Sequence, residues 1–253
     1  MNLTHFDGIG WLLLLLGPLF ILQRTLHREI QGLLLISTRR PSVTIIIFSI
    51  LFFPGVLLHE VSHFLMARLL GVHTGRVSLF PRPMKGGRLR LGFVETAPTD
   101  ILRDALIGAA PLLTGVAGVA YIGIVQMGLM PLGNALLTGQ FNILGQEIKQ
   151  LPLMPDFWLW FYLVFVISST MLPSPSDRRA WLPIVSVATI ILLIGLFVGF
   201  GPWLVTEIAP AFNQGMRALS TIFGISIAVH LIILIPVWTI RMILSRITGL
   251  SIK

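Results

Sequence analysis

The sequence predicts an all-α polytopic membrane protein of about six transmembrane helices, with one small membrane-associated β-hairpin after the second of them. Two observations predict this class. Hydrophobic residues make up 55% of the 253 and charged residues 11%. A soluble domain carries about 45–50% apolar residues even with glycine counted, and about 25% charged. Too few polar side chains are present to cover a water-facing surface, so much of the surface faces lipid. The second observation is that apolar runs recur near the length of about 20 residues that a helix needs to cross the hydrocarbon.

Composition also excludes several chemistries. The chain has no cysteine, which removes disulfides, thiolate zinc sites, iron–sulfur clusters and cysteine nucleophiles. A net charge of +8 suits nucleic acid in a soluble protein. In a membrane protein, the loops flanking the helices accumulate Lys and Arg. No basic stretch is interleaved with aromatics as a nucleic-acid groove requires. The expected partner is the lipid bilayer, and no nucleic acid.

The elements follow in order. Ile9 to Leu22 is a short apolar run that continues into an amphipathic stretch, Gln23 to Gln31. It reads as a tilted span or one extending past the bilayer. Asp7 precedes it without Lys or Arg and no small-residue cleavage site follows, unlike a signal peptide. The clearest spans are 43–70, 101–130, 157–172, 182–204 and 221–244. Between 71 and 99, Val77–Phe80 and Arg88–Val94 partly alternate around Lys85-Gly86-Gly87, which is a hairpin signal. Pro81 and Pro83 confine the first strand to an edge or a bulge. Residues 131–156 are too few for a soluble domain.

With six spans, most of the 18 Lys and Arg residues fall on the side of the hairpin and both termini. The positive-inside rule assigns that side to the cytoplasm, although Arg24, Arg28, Arg39 and Arg40 oppose it. A multi-pass protein of a prokaryotic cell membrane is expected, with the hairpin side in the cytoplasm.

The second span contains His59-Glu60-Val61-Ser62-His63. Positions i and i+4 share one face of a helix, so both imidazoles reach one metal ion. Glu60 stands beside them as a base for a water held there. Zinc lowers the pKa of bound water from about 15.7 to about 7, and a catalytic site needs a third protein ligand with a position left open. The five-residue pattern alone is a weak signal. Its setting strengthens it, because ionisable residues inside a span are costly and usually functional. A polar cluster gluing helices together is the structural alternative. A diiron site needs more ligands than this chain can supply, with six histidines in all.

Only ten acidic residues are available as the third ligand. Asp7, Glu29, Glu147 and Asp156 fall in termini or loops without a link to the motif. Glu207 lies on the opposite side of the membrane. Glu95, Asp100 and Asp104 belong to the hairpin exit and the start of the third span. Asp177 follows Pro173 and Pro175, which break the end of the fourth span on the same side as His63. Irregular backbone at membrane depth is tolerated only where it lines a cavity or is buried in protein. Asp177 is the expected third ligand.

This arrangement resembles the site-2 protease family of intramembrane zinc metalloproteases. The resemblance covers roughly residues 43–180, which would form a three-helix catalytic core with the β-region at 71–99. Leu106-Ile107-Gly108-Ala109-Ala110-Pro111-Leu112 belongs to it as well. The resemblance implies that His59, His63 and Asp177 bind Zn2+, that Glu60 is the catalytic base, and that the β-region helps to present a transmembrane protein substrate. It leaves 1–42 as a peripheral N-terminal helix and loop, and 181–253 as two additional C-terminal helices. The chain departs from the family where Arg178 follows Asp177 in place of Gly. Ser168 and Ser169 also stand where an Asn is usual, which makes it a divergent branch.

Substrate contacts are expected from Ser168, Ser169, Arg88, Leu89, Arg90, Leu91 and Phe93. The chain shows no PDZ or CBS segment, which leaves substrate selection to the membrane part or to an accessory protein. His230, alone in an apolar span, is expected to face a helix partner. Two other functions fit the same composition: an inactive relative that binds membrane proteins, and a transporter-like protein with a polar core.

Overall fold

The computed structural model describes residues 7–79, 82–83, 89–90, 92–137 and 139–250. Helix α1 (Asp7–Thr38) runs unbroken for 32 residues through both the apolar run and the amphipathic stretch. At 1.5 Å per residue it is about 48 Å long, well beyond the hydrocarbon thickness of about 30 Å. Arg24, Arg28 and Glu29 therefore lie on this helix, and Glu29 is not in the terminus or loop that the sequence suggested. The chain turns at Arg39, which is left-handed (φ 53°). Helix α2 (Pro41–Leu69) then starts on a proline, whose missing N–H costs nothing in a first turn.

The β-region contains two antiparallel strand pairs among the described residues, on either side of the expected turn. β1 (Thr74–Ser78) pairs antiparallel with β4 (Phe93–Thr96), placing Val77 opposite Val94 and Ser78 opposite Phe93. β2 (Arg82–Pro83) and β3 (Leu89–Arg90) form a second, two-residue antiparallel pair. The expected turn at 85–87 lies outside the described residues.

Helix α3 (Ile101–Tyr121) is capped by Asp100, whose carboxylate accepts the Arg103 N–H at 3.0 Å. That bond holds the Asp100 carboxyl below its usual range. A π-helical turn, Ile122–Gln126, extends α3. The 131–156 region folds into two short helices, α4 (Met130–Leu137) and α5 (Phe141–Gln150). Helix α6 (Phe157–Thr170) follows. Then come α7 (Trp181–Phe197), α8 (Gly201–Trp203), a π turn (Leu204–Ile208) and α9 (Ala209–Thr248).

Among the described residues, four helices are long and apolar enough to cross a membrane: Asp7–Thr38, Pro41–Leu69, Ile101–Gln126 and Gly201–Thr248. Phe141–Leu153 and Phe157–Thr170, bent by 100°, add a fifth if they form one span, while α7 has 17 residues. Large apolar side chains on α7, such as Ile191, Leu193 and Phe197, are exposed, as lipid-facing residues are. The chain is a multi-pass membrane protein.

Helices α2, α3 and α6 pack together around Phe48, Phe52, Val119, Val164 and Val166, which are almost wholly buried. Small residues permit the close approach. Gly55 of α2 lies against the Val166 carbonyl of α6, and Gly115 of α3 against Met171. Helix α1 lies along α9, joined by two ion pairs, Asp7–Arg217 near one end and Glu29–Arg241 further along.

Candidate metal centre

His59 and His63 stand on successive turns of α2, and each ring is oriented from behind by a neighbouring helix. The Nδ1 of His59 lies 2.7 Å from the Thr170 carbonyl at the end of α6. The Nδ1 of His63 lies 2.8 Å from the Ile107 carbonyl of α3. A carbonyl only accepts, so both Nδ1 atoms carry the proton and both Nε2 atoms present a lone pair inward. Three helices thus fix two rings and their tautomers.

The two Nε2 atoms are 3.2 Å apart. Asp177 Oδ1 is 3.5 Å from His63 Nε2, and Oδ2 is 3.8 Å from His59 Nε2. Three donors each about 2 Å from one ion in tetrahedral geometry stand about 3.3 Å from one another. The two Nε2 atoms stand at that separation, each carboxylate oxygen approaches one of them, and one donor atom from each of the three residues lies within 4.8 Å of the others, close enough to share a metal ion. The donor set of two imidazoles and a carboxylate suits zinc. Among the described residues, these three form the one group of His, Asp and Glu side chains close enough to share a metal.

Asp177 reaches the site from the irregular segment between α6 and α7. Its Oδ2 accepts the Ser174 N–H at 2.7 Å, a local turn that aims the carboxylate. Two anchors then press this segment onto α3. Arg179 donates two hydrogen bonds of 2.7 Å to Asp104, and the pairing raises the Arg179 pKa. The Asp177 carbonyl also lies where a side chain on Gly108 would begin. Gly108→Val should push the segment off α3 and draw the carboxylate from the imidazoles. A drop in zinc affinity of at least about tenfold, the low end for losing even an outer-shell partner, is expected with unchanged helical circular dichroism. A chelator-competition titration reads this directly.

Glu60 is 7% exposed and lies beneath the sheet. A Cβ on Gly92, just before β4, would fall 2.8 Å from Glu60 Cγ and 2.9 Å from Oε1. Glycine thus lets the β-region descend onto the carboxylate. The four residues line a cavity of about 490 Å³, bounded by Val94 and Thr96 of β4 and by Gly108.

The expected substrate contacts are distributed unevenly. Ser169 lines the cavity, and its hydroxyl lies 3.0 Å from His230 Nε2. Ser168 does not line it: its buried hydroxyl donates to the Val164 carbonyl at 2.6 Å. Phe93 is buried in β4. Leu89 and Arg90 form β3, whereas Arg88 and Leu91 lie outside the described residues. His230 faces α6, as expected.

Two residues of α1 with no sequence-assigned role, Gln23 and His27, also line the cavity. Their spacing of four puts them on one face of the amphipathic stretch, and that shared face is the signal that points to them.

No family model, curated protein or solved structure matches the chain.

Proposed function

We propose that this chain is an intramembrane zinc metalloprotease, a divergent relative of the site-2 protease family. It would hydrolyse a peptide bond within or near a transmembrane segment of another membrane protein. The observation that carries the reading is the convergence of His59 Nε2, His63 Nε2 and the Asp177 carboxylate within 4.8 Å of one another, with Glu60 alongside in a cavity that meets the sheet. Glue between helices needs neither the shared tautomer nor the open cavity.

His59, His63 and Asp177 would hold the ion, and the carbonyls of Thr170 and Ile107 would keep both imidazoles facing it. Zinc bound there supplies a Lewis acid that acidifies a water and polarises the scissile carbonyl. Glu60 takes the proton from the attacking water and returns it to the departing amine, so that one C–N bond breaks as one C–O bond forms.

A transmembrane substrate hides its carbonyls in helical hydrogen bonds and must unwind before attack. β4 is suited to receive the unwound stretch. Val94 and Thr96 border the cavity, and strand addition replaces backbone bonds that lipid cannot. Counting α6 and α7 as spans gives six crossings. The hairpin and Asp177 would then face the cytoplasm of a prokaryotic cell, with an accessory protein free to aid substrate selection.

Metal removal tests the reading. In lipid nanodiscs, the protein should cleave a synthetic single-span Leu/Ala peptide carrying a central Gly pair. It should lose that activity after chelation and regain it with zinc but not with magnesium, which prefers octahedral oxygen ligands. Cleavage that survives complete removal of metal would refute it.

A further inference from the structure

Helix α6 ends at Thr170, and the segment that follows leaves its last two carbonyls outside the helical ladder. The N–H that would reach the Ser169 carbonyl belongs to residue 173, which is a proline and has none. The next N–H, that of Ser174, goes instead to Asp177 Oδ2 at 2.7 Å. Side chains from two other helices take up both carbonyls. His59 of α2 bonds the Thr170 carbonyl through Nδ1. Gln23 of α1 donates its side-chain amide to the Ser169 carbonyl, and so supplies the N–H that Pro173 lacks.

Ser169 is held by its side chain as well. His230 of α9 has its Nδ1 2.7 Å from the Ser226 carbonyl. A carbonyl only accepts, so in the neutral ring Nδ1 carries the proton and Nε2 the lone pair. The Ser169 hydroxyl, 3.0 Å from that Nε2, donates to it. Ser169 and His230 are both almost wholly buried, where losing this bond strands a polar group. The helices that supply Gln23 and His230 are also tied to each other, through Asp7–Arg217 and Glu29–Arg241. Together they grip the one residue that precedes the carbonyl orienting His59.

Resting on the zinc site of the metalloprotease reading, we propose that Gln23 and His230 are positioning residues of that centre. By fixing Ser169 from α1 and α9, they hold the Thr170 carbonyl where it turns His59 Nε2 toward His63 and Asp177. Their effect on the ion passes through Ser169, Thr170 and His59 in turn. Helices α1 and α9, which the sequence leaves outside the three-helix core, thereby become part of the support of the metal site.

The test titrates the full chain in nanodiscs with zinc against a chelator, and loads it with cobalt to read ligand geometry from the visible absorption. Gln23→Met keeps the length of the side chain and removes the donor. His230→Phe keeps a ring and removes the acceptor, which His230→Gln gives back. Gln23→Met and His230→Phe should each weaken zinc binding by about three- to tenfold, the effect of one net hydrogen bond. That is less than the roughly 10- to 100-fold for an outer-shell partner, because both act one bond further out. Both should also shift the cobalt bands, and His230→Gln should recover part of each change. Asp7→Asn loosens α1 from α9 away from Ser169, and should leave affinity and bands as in the wild type. Unchanged affinity and bands in Gln23→Met or in His230→Phe, with native helical circular dichroism, would overturn the proposal. So would an equal loss in Asp7→Asn, which would mark the effect as a general loosening of the bundle. Gln23 is partly exposed, which keeps Gln23→Met decisive if His230→Phe fails to fold. If the folded wild type binds no zinc, the metalloprotease reading falls and takes this inference with it.

Discussion

Glu60→Gln should lower the rate of peptide cleavage by about 100- to 10,000-fold, the range for loss of a positioned general base. Zinc binding should be undisturbed. The amide preserves the size of the side chain beneath Gly92, so the sheet has no reason to shift. None of the three residues proposed as ligands is Glu60, so a bound metal would keep its holders while the attacking water would lose its proton acceptor. The two readouts together discriminate among functions. An inactive binding protein would show no change in its binding, and a transporter with a polar core would show no metal to begin with. Paired cleavage kinetics and metal analysis on one preparation measure both.

Asp177→Ala should weaken zinc binding by more than the roughly 10- to 100-fold typical of losing an outer-shell partner, because on the proposed reading it removes a ligand. Cleavage should fall with it. The substitution leaves His59 and His63 held by the Thr170 and Ile107 carbonyls, so the imidazole pair remains as a weak two-ligand site. High zinc should then restore occupancy only in part. Asp177→Asn keeps the Ser174 N–H bond through its amide oxygen and removes the charge. It separates the placement of the segment from the supply of a carboxylate. If Asp177→Ala kept both zinc and activity, the third ligand would have to be sought elsewhere.

The grouping of His59, His63 and Asp177 was legible because charge is scarce in this chain. His59 and His63 are four residues apart in an apolar run, and helical periodicity alone makes them neighbours. Asp177 was reachable because Pro173 and Pro175 open the backbone on the same side. What supports these residues was not legible. The carbonyls of Thr170 and Ile107 have no sequence signature, since every residue has a carbonyl and only packing selects one. The anchors on the Asp177 segment, Gly108 and the Arg179–Asp104 pair, depend on a contact between segments about 70 residues apart. Gln23 and His27 were hidden for another reason. A helix about 48 Å long carries its amphipathic half further than a simple span, and the polar face there looked like the edge of the bilayer. It borders the cavity instead. The hairpin was recognisable as a turn-rich interruption. Its register was not, because short edge strands lack the long alternation that fixes pairing.

The most direct test of intramembrane metalloproteolysis is mass spectrometry of the single-span Leu/Ala peptide after incubation in nanodiscs with heavy-oxygen water. Zinc-loaded wild type should yield two fragments cut within the apolar stretch, with heavy oxygen in the new carboxylate. Glu60→Gln should yield almost none. An intact peptide, from wild-type protein shown to hold zinc and to bind that peptide, would contradict the account.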